Sequence, residues 1–247
     1  MIRLESVNKF FNKTQVLTDI SAVFEPGKTN LIIGQSGSGK TVLLKCIVGL
    51  NSISGGEIYY NNRALSIMNQ KDQKHIRQEI GMVFQGGALF DSMNVEKNVS
   101  FPLDVYSGLS KEKRLERVNI CLERVDLVNV NKLFPAEISG GMRKRVAIAR
   151  AIALNPKYLF CDEPNSGLDP ITAIVIDNLI RDITREFNMT TIINTHDMNS
   201  VLEIGEKVLF LSEGEKIWEG NKEEILYTDN KKLNEFVFAS PMMMKLK

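Results

Sequence analysis

The run Gly34-Gln35-Ser36-Gly37-Ser38-Gly39-Lys40-Thr41 limits what this chain can become more than any other feature. It lies between an apolar, strand-like stretch (Asn30 to Ile33) and a helix-like one (Val42 to Leu50). Glycines at this spacing let the backbone wrap a small anion with its N–H groups pointing inward, and the helix that follows presents the positive end of its dipole. Lys40 can add a point charge at the β and γ phosphates, and Thr41 a hydroxyl to Mg²⁺. The expected ligand is therefore a nucleoside triphosphate with Mg²⁺, cradled by Ser36, Gly37, Ser38, Gly39, Lys40, Thr41 and Val42. A loop that merely turned the chain would leave the Lys-Thr pair and both flanking elements without a reason.

Composition removes several alternatives. A chain of 247 residues can bury a substantial core. Lys and Arg number 31 against 30 Asp and Glu, so no global charge favours nucleic acid, and none is expected as a partner. Cys46, Cys121 and Cys161 are odd in number, far apart and set among apolar residues, which suits reduced core thiols rather than a disulfide framework. The first residues, MIRLESVNKFF, hold no apolar core of signal-peptide length, and no stretch approaches the ~18 apolar residues of a membrane span. The chain is expected in the cytoplasm, with any membrane role supplied by a partner.

Short strands are expected over Ile2 to Val7 and Ser21 to Phe24, with the Pro26-Gly27 turn leading into the P-loop strand. Glu57 to Tyr60 forms another, bracketed by Ser54-Gly55-Gly56 and Asn61-Asn62. Between Ser110 and Leu127, Leu115, Val118, Leu122 and Val125 recur at helical spacing among charges. A second helix is expected over Met142 to Leu154, and the continuous apolar run Tyr158 to Cys161 fits a buried parallel strand. Helix and strand then alternate through Ile171 to Phe187 and Thr190 to Asn194. Val208 to Leu211 and Lys216 to Trp218 read as strands around Gly214, followed by a short helix from Asn221 with Glu224 as its capping-box partner. The whole reads as one α/β unit with a helical lobe inserted at about 86–155. The Met-rich tail, Ser240 to Lys245, reads as a frayed end.

Tyr158-Leu159-Phe160-Cys161 ends in Asp162-Glu163, where the first acid can hold the Mg²⁺ shell and the second can polarise an attacking water. With the P-loop and this acidic strand in place, four further segments resemble the nucleotide-binding subunits of ABC transporters, over nearly the whole chain. Ile138-Ser139-Gly140-Gly141-Met142 resembles the family's signature loop; Ser-Gly-Gly at a helix N-terminus exposes N–H groups and a hydroxyl to an anion. Gln85, in Val83-Phe84-Gln85, resembles the Q-loop glutamine, able to touch Mg²⁺ or the attacking water. Ser166-Gly167-Leu168-Asp169 resembles the D-loop, and His196 in Asn194-Thr195-His196-Asp197 the switch histidine. His75 has no such company and reads as structural.

The resemblance implies an ABC ATPase: a P-loop NTPase core with an antiparallel β subdomain (1–85 and 156–247) and an inserted α-helical subdomain (about 86–155). It implies ATP and Mg²⁺ as cofactors, with Thr41, Gln85 and Asp162 as metal contacts, and Lys40, Gln85, Glu163 and His196 in catalysis. Ser139, Gly140 and Gly141 would reach ATP held by a second copy, making a homodimeric sandwich. Phe11 would stack on adenine with Val16 under the ribose, leaving Phe10 to the core. Met142 in place of the usual signature Gln, and the segment Gln85 to Val95, resemble the ATPases of transporters that maintain outer-membrane lipid asymmetry. That subfamily implies phospholipid trafficking through a multi-span permease and an MCE-type lipid-binding protein, at the cytoplasmic face of the inner membrane, with Phe90 and Val95 as anchors for the permease. The alternatives are the ATPase of a small-solute importer or exporter, and a soluble regulator without a transport role.

Overall fold

The computed structural model describes residues 1–239, so the Met-rich tail lies outside the described residues. The chain begins with β1 (Ile2–Phe11), β2 (Thr14–Phe24), β3 (Thr29–Ile33), α1 (Lys40–Ile47), β4 (Gly55–Tyr60) and β5 (Arg63–Ala64). It continues through α2 (Gln70–Gln78), β6 (Ile80–Val83), α3 (Val95–Tyr106), α4 (Lys111–Arg124) and α5 (Gly140–Ala151). The last part holds β7 (Tyr158–Asp162), α6 (Pro170–Glu186), β8 (Thr190–Thr195), α7 (Met198–Ile204), β9 (Lys207–Ser212), β10 (Glu215–Gly220) and α8 (Lys231–Val237).

Two sheets result. One is antiparallel in the order β2-β1-β4-β5, and the other runs β10-β9-β3-β8-β7-β6, parallel except for the edge strand β10. Every residue of β3, β7 and β8 is buried, as a central parallel strand covered on both faces requires. One core fills the space between the two sheets around Phe24, Tyr60 and Phe160, and a second joins the large sheet to α3, α4, α5 and α6. Because β3, β6, β7 and β8 point the same way, the residues just past their C-terminal ends converge on one edge of the sheet. Those residues are the P-loop, Gln85, Glu163 and His196.

Several elements differ from expectation. β1 and β2 are long strands joined by the tight Asn12-Lys13 turn, where the sequence pattern offers only short ones. The register of β1 against β2 slips between Lys9 and Phe10, which turns Lys9 inward and leaves Phe10 41% exposed rather than in the core. Val95, expected on the surface, is fully buried in the first turn of α3. Phe90 remains exposed and packs its ring 4.9 Å from that of Phe101 on α3. Buried Asn98 holds this segment down: its side chain accepts from the Phe90 N–H at 2.8 Å and donates to the Phe90 and Met93 carbonyls. α5 starts at Gly140 because Ser139 caps it, its hydroxyl accepting from the Met142 N–H at 3.2 Å. In α4 the buried stripe begins at Val118, one turn after the exposed Leu115. The Asn221 cap is present, with Glu224 donating to and accepting from it in the capping-box pattern, although the turn it starts is a short 3₁₀ helix (Glu224–Leu226). All three cysteines are buried and unpaired, and burial pushes the Cys121 thiol up to about 11. Among the described residues no helix is long and apolar enough to cross a membrane.

Candidate active site

The P-loop closes around its own lysine. Gly39 caps α1 with φ of 102°, a left-handed conformation that glycine tolerates, and a Cβ there would lie 2.9 Å from Leu17 and 3.2 Å from the Val16 carbonyl. Gly37, also left-handed, faces open space. Lys40, on the first turn of α1, donates from Nζ to the Gly34 carbonyl at 2.7 Å and the Gln35 carbonyl at 2.9 Å. Burial holds its pKa below the usual lysine value, against the opposing pull of the Glu163 and Asp162 carboxylates. Thr41 Oγ1 donates to Asp162 Oδ1 at 3.2 Å, and Asn194 Nδ2 donates to the same oxygen at 3.0 Å.

Past the end of β7, Glu163 adopts φ of 47°, an uncommon conformation for a non-glycine residue and one that aims its carboxylate across the sheet edge. Its Oε2 accepts from Gln85 Nε2 at 2.9 Å, and its Oε1 lies 2.9 Å from His196 Nδ1. Gln35, Ser36, Gly37, Gly39, Lys40, Thr41, Val42, Val16, Gln85, Glu163 and His196 thus line one cleft of about 1600 Å³. Ser38 and Asp162 are buried beneath it.

The signature loop and Phe11 stand outside this cleft, as does His75, which reads as structural. Gly140 opens onto an adjoining hollow of about 520 Å³, which shares Gln85, Ser166, Gly167 and Leu168 with the cleft, and Ser139 and Gly141 line neither space. Phe11 does not line the cleft; its exposed ring sits 4.7 Å from the Lys9 ammonium. His75 lies on α2 and makes no contact with the cleft.

The residues fit a Mg²⁺-triphosphate. Within the loop, Ser38 Oγ is buried without a hydrogen-bond partner among the described residues, an orphaned polar atom that a bound anion could satisfy. The Thr41 hydroxyl and Asp162 carboxylate offer hard oxygen donors, while no group of three or more His, Cys, Asp or Glu among the described residues could hold an ion alone. That suits an ion which takes most of its ligands from phosphate and water.

The comparisons with known proteins agree. The family profile described as "ABC transporter" matches residues 17–166, more than half of the chain. The chain belongs to the ABC transporter family. "Methionine import ATP-binding protein MetN" of Campylobacter jejuni is 37% identical over 98% of this chain and 77% of its own length, and that of Clostridioides difficile 39% identical over 96% and 74%. Among solved structures, the ATP-binding cassette MJ0796, in a dimeric post-hydrolysis state bound to ADP and Pi, has a TM-score of 0.82 and 31% identity over 90% of this chain and 99% of its own. CbiO1 of Clostridium perfringens, part of the ABC transporter complex cbiONQ, has a TM-score of 0.85 and 28% identity over 99% and 98%. The ABC ATPase fold, the use of ATP with Mg²⁺, and ATP hydrolysis are thereby shown for this chain. The phospholipid and MCE expectation gains no support, since these relatives are named for methionine import.

Sequence reasoning about this ABC ATPase missed a second tier of polar residues. Asn194 was read only as part of the switch segment, yet it anchors Asp162. Asn165, Asp177 and Ser200 form a buried cluster at the far end of the cleft, with Asn165 Nδ2 donating to Ser200 Oγ at 2.7 Å and to Asp177 Oδ2 at 3.2 Å. The signal was present: Asp177 interrupts the apolar face of α6 between Ile176 and Ile180.

Burial raises the Asp177 carboxyl to about 6 from an ordinary 3.8, helped by the Asp197 and Glu203 charges and opposed by hydrogen bonds from Ser200 and Asn165. A raised folded-state pKa means that the folded protein binds the proton more tightly. The stabilisation is complete below about pH 3.8 and lost as pH rises through about 6, amounting to about 3 kcal/mol in all. Only part of it, about 1 kcal/mol, disappears between pH 5 and 7.5. Urea unfolding of Asp177→Asn and wild type at those two pH values should therefore differ, with the variant gaining about 1 kcal/mol on wild type at the higher pH. An offset that does not change with pH would show that Asp177 is ionised in both states.

Proposed function

We propose that this chain is the ATP-hydrolysing subunit of a small-solute ABC importer, working as a homodimer at the cytoplasmic face of the membrane on a multi-span permease. The observation that carries the substrate class is the 37–39% identity to methionine import ATP-binding proteins over nearly the whole chain. A methionine-like amino acid is the first solute to test.

In this reading the P-loop, Lys40 and Thr41 hold the triphosphate, with Asp162 and Gln85 completing the metal's surroundings. Bound Mg²⁺ neutralises charge on the phosphates. Glu163 accepts a proton from, or polarises, the attacking water, and the contact of His196 Nδ1 with Glu163 Oε1 keeps that carboxylate turned toward the cleft. Val16 lines the cleft, and the exposed Phe11 ring, outside it, is the aromatic face offered to adenine. Ser139, Gly140 and Gly141 lie outside the cleft around the chain's own P-loop, as a loop that reaches ATP on a second copy would. ATP must then bind the closed dimer better than the open one, since only differential affinity can move the cycle. The exposed Phe90-Phe101 pair, with Val105 beside it on α3, is the apolar surface for the permease.

Phospholipid trafficking, with an MCE-type partner, is the second reading. It rests on Met142 at the fifth signature position and on the segment from Gln85 to Val95. Purification of the chain in mild detergent with its permease separates the two. A periplasmic solute-binding protein, together with methionine-stimulated hydrolysis, is the expected result. Copurifying phospholipid and an MCE protein, with no response to amino acids, would replace the importer reading with the lipid one. Recovery of soluble partners alone would remove both.

A further inference from the structure

Lys144 sits on the second turn of α5, one turn beyond the Ser139-Gly140-Gly141 loop, and is only 7% exposed. Its neighbours on that helix face, Ala147, Ile148 and Ala151, are core residues, so a lysine here stands in an apolar stripe. No ion pair holds it among the described residues. Instead its ammonium donates to the Gln85 carbonyl, with the Glu163 carbonyl at 3.5 Å and Ser166 Oγ at 3.4 Å. An ammonium has three donors, and these three acceptors come from two segments, the one at Gln85 and the Glu163–Ser166 loop after β7. Ser166 Oγ in turn lies 3.5 Å from the Gln85 carbonyl, which closes the knot. Burial holds the Lys144 pKa below the usual lysine value, opposed by the Glu163 carboxylate and the Cys161 thiol.

A buried cation without a carboxylate against it lowers stability, and an apolar side chain of the same length would fill the space without that penalty. What an apolar side chain cannot do is hold the backbones of Gln85 and Glu163 together. Those are the two residues whose side chains meet at 2.9 Å over the mouth of the cleft. We infer that Lys144 is a positioning residue: it ties the helix carrying the Ser139-Gly141 loop to the backbones of Gln85, Glu163 and Ser166, so that engagement of that loop sets the separation of Gln85 from Glu163. This rests on the catalytic reading of Glu163 and Gln85 given above. It assigns Lys144 no contact with nucleotide, so its loss acts on turnover and not on binding.

The test is steady-state hydrolysis by the full chain, with KM and kcat for ATP and the melting temperature measured for Lys144→Met, Gln85→Ala and the double variant. Lys144→Met should lower kcat by about 10-fold or more, leave KM within about twofold, and leave the melting temperature unchanged or higher. Because Lys144 acts through Gln85, the double variant should lose far less than the product of the two single losses. Lys144→Arg, which keeps a buried cation with several donors, should recover part of kcat. Should Lys144→Met fail to fold, Lys144→Gln carries the same comparison, with the same kcat loss expected. A wild-type kcat in the neutral variants, or multiplicative losses in the double variant, would overturn the inference. A wild-type chain unable to hydrolyse ATP would instead sink the catalytic reading on which it stands.

Discussion

Glu163→Gln is expected to slow ATP turnover by at least ~10²-fold while leaving ATP bound, the usual scale for removing one electrostatic catalyst. The amide has the shape of the carboxylate, and none of the P-loop contacts depends on it, so the nucleotide keeps Lys40, Thr41 and the loop N–H groups. What disappears is the negative charge that would draw a proton from water. The geometry around it also degrades. The carboxylate accepts from Gln85 Nε2 on one oxygen and faces His196 Nδ1 with the other, whereas an amide has only one acceptor oxygen for two neighbours. With hydrolysis blocked and ATP retained, the variant should accumulate as a dimer in ATP and Mg²⁺ and as a monomer without them, read by size-exclusion with light scattering. Turnover within about threefold of wild type would exclude Glu163 from the chemistry. A variant that stays monomeric in ATP even with its permease would count against the sandwich.

Lys40→Ala should abolish hydrolysis by a different route, through loss of nucleotide binding. Lys40 is buried, and its ammonium spans the Gly34 and Gln35 carbonyls at 2.7 and 2.9 Å. Truncation removes the positive charge and unpairs both carbonyls at the neck of the loop. Charge-assisted hydrogen bonds contribute about 1.5–3 kcal/mol each, so a rise in the ATP Kd on the order of 10²-fold or more is expected. Calorimetric titration of ATP with Mg²⁺ into the variant checks this. Binding within about fivefold of wild type, with hydrolysis still absent, would move Lys40 from binding to the chemical step.

The two variants separate binding from chemistry because their residues were legible in different ways. Lys40 belongs to a motif whose physical demands are satisfied within eight consecutive residues, so the loop, its left-handed glycines and the helix after it can be read without knowing anything else about the fold. Asp162 and Glu163 are legible for a similar reason, since an apolar run ending in two acids marks a buried strand emerging at a polar edge. The Ser139 cap also depends only on its own turn.

The errors have a common source in long-range pairing. Phe10 was expected in the core by strict alternation, but a register slip against β2, a property of two strands, left it exposed. Val95 was expected at the surface as an apolar anchor for the permease. Burial under α5 and the neighbouring helices was decided by how α3 packs. The expected phospholipid substrate, which relatives named for methionine import do not support, had another source: Met142 changes one side chain while leaving the helix N-terminus intact, so the chemistry of the loop does not distinguish transport systems.

The sequence by itself determined the ligand class, the Mg²⁺-triphosphate loop, the acidic strand and the alternation of helix and strand, because each follows from backbone geometry and burial within a few residues. The tertiary structure alone decided which of those pieces meet. Strand order β3-β8-β7-β6 brings Gln85, Glu163 and His196, which are 78 and 33 residues apart along the chain, to hydrogen-bonding distance. The same packing turns Lys144 inward against Gln85 and the Glu163–Ser166 loop and gathers Asn165, Asp177 and Ser200 into one buried cluster. No local pattern encodes such meetings, because they depend on the summed pairing free energy of whole strands and helices and not on the residues that finally touch.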